Sequence, residues 1–86
     1  MVIINNSKRS MQAAVYKDIP KSKGNWVAGK EVPSGQSVSL SVDAGVPYYW
    51  VNMTDESMEH VETAFTGGVH TNSQVTLTDE FRIVVT

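Results

Sequence analysis

The chain contains no cysteine, so neither a disulfide bond nor a thiolate metal site can stabilise its fold. Its longest apolar runs are only a few residues, whereas a helix that crosses a bilayer needs roughly 20. The N-terminal residues 1–6 have no basic start and no small-residue cleavage site, which indicates that they are not a secretory signal. We therefore expect a soluble protein that stays in the cytoplasm of its producing cell and acts outside that cell only after release.

Signatures of catalysis and of metal binding are also lacking. No serine lies in a nucleophile elbow, and the short-strand pattern leaves little room for a deep pocket that could hold catalytic groups. An acidic run (Asp55, Glu56, Glu59 and Glu62, with His60) lacks the spacing of a calcium-binding loop, so it indicates a solvated loop. The sequence thus predicts a protein that is not an enzyme and that carries no cofactor and no metal.

Acidic side chains are scarce in the first part of the chain, and basic side chains are scarce in the rest. Residues 1–30 carry six basic side chains and one acidic one, and residues 31–86 carry one basic and eight acidic ones. The lysines of the first half alternate with turn residues and have few aromatic neighbours, which argues against nucleic acid as a partner. We expect instead that oppositely charged side chains attract each other within the fold, with a small contribution from each surface pair.

The clearest strand pattern is the alternation of Val38, Leu40 and Val42 with polar side chains. Side chains of a strand point alternately to opposite faces, so this pattern predicts one buried and one wetted face. The stretch AGVP that follows favours a turn, and the aromatic-rich stretch YYWVNM comes directly after it. The sequence therefore predicts a β-hairpin over residues 37–53.

Two segments near the N-terminus also favour strands. Residues 2–5 are apolar and β-branched and predict a first strand, and the alternation in residues 11–18 predicts a second strand that pairs back on the first. Residues 19–25 contain Pro20 and Gly24 within a lysine-rich run. This composition indicates an exposed loop.

A turn signal ends the next strand, which is predicted over residues 25–32. Pro33-Ser34-Gly35 has proline at the second position of a turn, as turns of this kind prefer. Gly29, inside the strand, indicates a bulge or a point where another backbone approaches closely.

Two adjacent glycines, Gly67 and Gly68, lie between alternating runs, which predicts a tight two-residue hairpin because both central positions of that turn need positive φ. Residues 54–60 resemble a helix start and predict one helical turn at most. The whole chain shows seven or eight short strands with turn signals between them. This pattern predicts an all-β fold, a small antiparallel β-sandwich that forms a single domain over residues 1–86.

The most distinctive local feature is the run Tyr48-Tyr49-Trp50. Alternation places Tyr48 and Trp50 on one face and Tyr49 on the other, so at least one aromatic side chain is expected to face outward. Exposed aromatic side chains beside serine and asparagine are typical of surfaces that stack on sugar rings or sit among lipid headgroups. The alternative is that two of the rings fill the core and the third covers an edge.

The candidate binding residues form an aromatic group and a basic group. They are Trp26, Tyr48 and Trp50, together with Lys17, Lys21 and Lys23.

Three short motifs carry a family resemblance: the opening VIINNS at residues 2–7, AAV at 13–15 and PYY at 47–49. In these motifs, and in its short cysteine-free chain, the protein resembles the small bacterial insecticidal proteins that act on beetle larvae. The opening and the stretch PSGQS at residues 33–37 are also similar to thaumatin-like proteins, and the general plan is similar to the aegerolysins, which bind membrane lipids. These resemblances imply a β-sandwich that binds a receptor or lipid on gut cells and damages them, and they assign a role to no individual residue.

From these observations we expect a non-enzymatic protein that binds a membrane lipid or a cell-surface receptor in a toxin-like role. The first alternative is a small carbohydrate-binding lectin with a glycan as its partner. The second is a structural module that pairs through its edge strands, for instance as a homodimer, because few charges protect the strand ends.

Overall fold

The computed structural model describes residues 1–17, 25–55 and 63–86. These residues form eight strands arranged as two four-stranded sheets. In chain order the strands are β1 (Val2–Asn5), β2 (Met11–Tyr16), β3 (Trp26–Val32), β4 (Ser37–Ser39), β5 (Tyr49–Asp55), β6 (Thr63–Val69), β7 (Gln74–Leu77) and β8 (Ile83–Val85). The predicted all-β sandwich is therefore confirmed. The described residues contain no helix of the length and apolarity that a membrane span requires.

The two sheets have different strand orders. Sheet A has the order β4-β1-β7-β8 and sheet B the order β3-β2-β5-β6. Every pair of neighbouring strands is antiparallel except β1 and β7, which run parallel with Val2 opposite Gln74. The sandwich is thus mostly, but not entirely, antiparallel.

The core lies between the two sheets and is built from alternate positions of the strands. Because successive side chains point to opposite faces, every second residue of β2 and β5 is buried. The buried apolar side chains are Ile3, Met11, Ala13, Val15, Val32, Leu40, Tyr49, Val51, Met53, Val69, Val75 and Leu77. The intervening residues of sheet B point away from the core and form its outer face.

A buried asparagine joins the two sheets where the chain passes from β1 to β2. The Asn5 side-chain amide donates hydrogen bonds to the carbonyl oxygens of Arg9 (2.7 Å) and Val32 (2.8 Å). Its Oδ1 accepts from the Ser7 backbone N–H (3.0 Å) and hydroxyl (2.6 Å). The prediction that β2 pairs back on β1 is wrong, because this network turns the chain out of sheet A and into sheet B.

The predicted hairpin over residues 37–53 is also wrong. The strand β4 ends at Ser39 and pairs with β1, whereas β5 pairs with β2 and β6 in the other sheet. The connection between them is held by Asp43, whose backbone carbonyl accepts from the Tyr49 hydroxyl at 2.5 Å and whose Oδ1 accepts from the Gly45 N–H at 2.8 Å. Leu40 is buried in the core, so the alternating pattern is satisfied although the chain crosses between sheets.

The predicted turn at Gly67 and Gly68 is absent, because β6 runs as one strand from Thr63 to Val69 along β5. Gly68 has a φ of +68°, and the register of β5 and β6 shifts between Tyr49 and Val51. The glycine pair therefore makes an irregularity within a strand and not the end of one.

The predictions for the third strand and its turn are confirmed. The Gln36 N–H donates to the Pro33 carbonyl at 3.0 Å, and Gly35 has a φ of +76°, which a residue with a side chain rarely adopts. A β-carbon on Gly29 would lie 3.1 Å from the Ala13 carbonyl oxygen, so this glycine marks a close backbone approach.

The predicted acidic loop and the predicted helical turn both start at residues that the structure places in β5. Asp55, expected in a solvated loop, is buried, and its carboxylate pairs with the Arg9 guanidinium at 2.8 Å. Thr54 is likewise a strand residue. The rest of both predictions, residues 56–60 and Glu62, lies outside the described residues, as does most of the predicted loop over residues 19–25. The Arg9–Asp55 pair is one instance of the expected attraction between the basic and acidic halves.

Candidate functional site: an aromatic face on sheet B

The outer face of sheet B carries four aromatic side chains. Since Met11, Ala13 and Val15 point into the core, the alternation of β2 directs Tyr16 outward, and the same rule directs Trp50 outward from β5. We call the side chains of Tyr16, Trp26, Trp50 and Phe65 the aromatic face.

Strand pairing brings three of these side chains into one row across the sheet, and a ring contact adds Phe65 to it. Tyr16 lies opposite Trp26 on one side and opposite Trp50 on the other. The ring of Phe65, on β6, stacks against that of Trp50, with 6.0 Å between the ring centroids and 25° between the planes. Each strand of sheet B thus contributes one ring, and the row spans roughly 14 Å, three interstrand spacings.

The Trp50 indole lies flat on the backbone of β6. A β-carbon placed on Gly67 would lie 2.9, 3.0 and 3.3 Å from Cε2, Cζ2 and Cδ2 of Trp50. Cε2 is a ring-fusion carbon whose bonded neighbours fill the ring plane, so a point closest to it lies over the ring face. Glycine at position 67 therefore lets the indole lie down on the sheet and turn its other face outward.

The outer rings of the row are the most exposed. Trp26 is 54% exposed and Phe65 is 63% exposed. The edge of the Trp26 indole lies over Gly29, where Cζ2 and Nε1 are 3.3 and 3.4 Å from the place that a β-carbon would take. Because large apolar side chains seldom cluster on the surface of a soluble monomer, a contiguous row of them indicates a contact surface.

A polar atom without a partner lies beside the row. Asn52 is the outward residue of β5 that follows Trp50, and it lies opposite Ala14 and Phe65. Its Oδ1 is buried and accepts no hydrogen bond. Leaving such an acceptor unpaired costs about 1–3 kcal/mol, so the arrangement weakens the fold unless a ligand supplies a donor.

A shallow groove of about 450 Å³ adjoins the aromatic face at Trp50. Its lining includes the exposed Lys17 and the rings of Tyr48 and Trp50, with Val46, Pro47 and Gly68 completing it. Tyr48 is 56% exposed, and its ring centroid lies 5.1 Å from that of His70. The groove thus combines one cationic side chain with two aromatic ones.

The remaining aromatic residue of the run, Tyr49, belongs to the core. Its side chain is fully buried, and its hydroxyl donates to the Asp43 carbonyl. Burial raises the pKa of the Tyr49 phenol above 10.0, and the nearby Asp43 carboxylate raises it further. Tyr49 is therefore a structural residue, and its two neighbours are surface residues.

The structure brings four of the six predicted site residues together: Trp26 and Trp50 in the aromatic face, and Lys17 and Tyr48 in the groove. Lys21 and Lys23 lie outside the described residues. The sequence-based prediction missed Tyr16 and Phe65. An outward position for Tyr16 follows from the alternation of its strand, but its place beside both tryptophans depends on strand pairing that no local pattern specifies.

The described part of the chain contains no cluster of three His, Asp or Glu side chains that could hold a metal ion. No family model, curated protein or solved structure matches this chain. The chemistry of its surface is therefore the basis on which a function can be proposed.

Proposed function

We propose that this chain is a non-enzymatic protein that binds a cell surface, and that its aromatic face stacks on the sugar rings of a glycan there. The observation that carries this proposal is the flat Trp50 indole on Gly67, with the Phe65 ring nearly parallel to it. A ring that lies along the sheet turns one face toward a ligand, and Trp50 remains partly exposed beside the Phe65 ring. A tryptophan that inserts into lipid would need to stand away from the protein surface instead.

The chemistry of the face suits a sugar. The π-face of an aromatic ring is electron-rich and attracts the weakly positive C–H groups of an apolar sugar face. The row of rings is long enough for several sugars of one chain to lie across the sheet. An extended, open row of this kind favours a linear oligosaccharide over a single monosaccharide.

Polar groups along the same face can take part in recognition. Ligand sites typically combine apolar contacts with a few polar groups that fix the orientation of the ligand. Asn52 has an unpaired amide oxygen, and sugar hydroxyls are donors. Because this oxygen is buried, the Asn52 amide must turn outward to accept a hydrogen bond from a sugar. Thr54 and Thr63 lie one step further along the face, with 3.3 Å between their hydroxyl oxygens.

The test is binding of the wild-type protein and two variants to an array of neutral and acidic oligosaccharides, followed by calorimetric titration with the best binder. Removing a central aromatic anchor typically costs 2 kcal/mol or more, so we expect Trp50→Ala to weaken binding at least about thirtyfold. Ser39→Ala, on the outer face of the other sheet and away from β8, is the control and should bind as the wild type does. Absence of binding to every oligosaccharide, or equal binding by Trp50→Ala, contradicts the proposal.

A membrane lipid is the second candidate ligand, and the groove favours it. Lys17 is an exposed cation beside Tyr48, and anionic headgroups attract lysine while tyrosine sits well at the lipid interface. Vesicles that contain phosphatidylserine should then bind the protein at low salt, with less binding after Lys17→Gln and none to neutral vesicles. Salt-independent glycan binding without vesicle binding would rule this candidate out.

The toxin-like action on gut cells follows only from the family resemblance and stays a prediction. Its support would be damage to insect gut cells by the purified protein, lost in Trp50→Ala. If the protein binds a glycan but does not damage these cells, it is a lectin and not a toxin.

A further inference from the structure

The strands of sheet A carry no charged side chain. Its four strands read SVS, VIIN, QVTL and IVV, without a single Asp, Glu, Lys or Arg. Natural proteins usually protect the edges of their sheets with charged residues, proline or bulges, because an open edge invites another strand. The strands of sheet A contain neither charged residues nor proline.

Its edge strand β8 also exposes apolar side chains. Val84 is 48% exposed and Val85 is 40% exposed. By contrast, the edge strand β3 of sheet B carries Lys30 and Glu31, and the other edge, β6, is made irregular by its glycines. Among residues 1–17, 25–55 and 63–86, the β8 edge is therefore apolar and is paired with no further strand.

The hydrogen bonds of β8 show which of its backbone groups are available. Gln74 and Thr86 exchange two hydrogen bonds, of 2.9 and 3.0 Å, and the Thr78 N–H donates to the Arg82 carbonyl at 2.8 Å. In an antiparallel ladder the residues alternate between facing one neighbour and facing the other. Residues 82, 84 and 86 thus face β7. Ile83 and Val85 direct their N–H and C=O groups to the open side, where no strand of the described residues pairs with β8.

We propose that two copies of this chain pair through their β8 strands, antiparallel and about a two-fold axis at Val84. In this register Ile83 of one copy lies opposite Val85 of the other, and each of these two pairs exchanges two hydrogen bonds. The pairing uses all four outward groups of each strand and joins the two copies of sheet A into one eight-stranded sheet. Val84 of each copy then lies beside its counterpart, at the kind of position where facing side chains come closest.

A second copy fits this edge because the edge is complementary to itself. An isologous contact requires that the same surface match its own image under a two-fold rotation. The open groups of β8 are two residues apart and symmetric about Val84, so the match follows from their spacing. No charged side chain lies within Ile83–Val85, so no like charges oppose each other inside the paired strands.

The β8 pairing does not depend on the proposed function. Its consequence for ligand binding does rest on that function. The two-fold axis of a continuous antiparallel sheet runs perpendicular to that sheet, so both copies of sheet B lie on the same side of it. Both aromatic faces then point in the same direction. A dimer could engage one surface with two sites, which raises its apparent affinity without any new contact.

Sedimentation velocity of the wild-type protein, from micromolar to millimolar concentration, tests the proposal. We expect a reversible monomer–dimer equilibrium. Val84→Lys places two ammonium groups side by side at the axis and should weaken dimerisation at least about tenfold. Val85→Pro removes an outward N–H that β7 does not use, so it should weaken dimerisation while the fold stays intact by circular dichroism.

Ser37→Lys is the matched control, since it adds the same charge to the exposed face of the opposite edge strand, β4. It should leave the equilibrium unchanged. A wild-type protein that stays monomeric at all concentrations overturns the proposal. So does a dimer that survives both β8 variants, or one that Ser37→Lys disrupts. Glycan binding by a monomer would leave the proposed function standing while this inference fails.

Discussion

The outer faces of the two sheets differ sharply although both sheets share one core. The outer face of sheet B presents the aromatic face and the unpaired Asn52 acceptor. The outer face of sheet A presents aliphatic, hydroxyl and amide side chains: Val2, Ile4, Ser37, Ser39, Gln74, Thr76 and Val84. Inward positions on both sheets are constrained by packing, whereas outward positions can differ without changing the fold. The clustering of large rings on one outer face is thus better explained by binding than by folding.

The largest expected effect is a difference in stability between substitutions of two adjacent residues, one in the core and one on the surface. Tyr49→Ala removes a fully buried ring and should lower the free energy of unfolding by about 3–5 kcal/mol, because the cavity cannot be refilled. Tyr48→Ala, one residue earlier and exposed, should change it by no more than about 0.5 kcal/mol. Urea unfolding measures both. Similar losses of unfolding free energy for the two variants would contradict the assignment of Tyr49 to the core and Tyr48 to the surface.

A single methyl group can test the flat position of the Trp50 ring. In Gly67→Ala the new β-carbon would lie 2.9 Å from Cε2, so the indole must lift off the strand. We expect a changed near-ultraviolet circular dichroism spectrum and about tenfold weaker binding of the glycan, since stacked rings lose contact when tilted. Ser39→Thr adds a methyl group at an exposed position of β4, outside the aromatic face, and should change neither. An unchanged spectrum for Gly67→Ala would show that the ring does not lie on the glycine.

Alkaline pH should destabilise the core side of the sheet through Tyr49. The pKa of its phenol is raised in the folded protein, mainly by burial, so above pH 10 the unfolded chain loses this proton more readily than the folded one. The stabilising contribution is present in full below pH 10 and is lost as the pH rises toward the folded pKa. Tyr49→Phe should lower stability by about 1 kcal/mol at neutral pH and should be less sensitive to pH above 10. Parallel pH dependence of the wild type and the variant, measured by urea unfolding, would contradict this assignment.

The smallest expected effect is that of Asn52→Val, which should raise stability and lower glycan affinity. Asn52→Val removes an unpaired buried acceptor and introduces a residue that favours strands, so unfolding should cost about 0.5–1 kcal/mol more. Glycan affinity should fall because the acceptor is gone. Thr54→Val, the next outward residue of the same strand, controls for the gain in strand propensity. A variant that is more stable and binds equally well would show that Asn52 has no part in recognition.

The sequence was enough to predict the class of fold and much of the local structure. Alternation identified the strands, and the turn Pro33-Ser34-Gly35 followed from its composition. Alternation also separated Tyr49 from Tyr48 and Trp50, since inward and outward positions depend only on the spacing along one strand. These properties are local, and local patterns are sufficient to predict them.

The partners of the strands could not be predicted in the same way. An alternating strand is satisfied by any neighbour that covers its apolar face, so the pattern around Leu40 suited the predicted hairpin as well as the observed crossing. The glycine pair matches the pattern of a turn. The indole that requires glycine at position 67 lies on another strand, so the local sequence does not reveal it. The row of four rings depends on these pairings. For that reason Tyr16 and Phe65 were not among the predicted site residues.

The parallel pairing of β1 with β7 determines when the molecule can fold. Val2 meets Gln74 only after the intervening 71 residues have been synthesised, and the entropy of closing so long a loop is lost before the contact stabilises anything. The central strands of sheet B pair over shorter separations and can assemble earlier. During synthesis, β1 can pair with β4 on one edge but must wait for β7 on the other, so a ribosome-bound chain that stops before β7 should leave that edge of β1 open to proteases and chaperones.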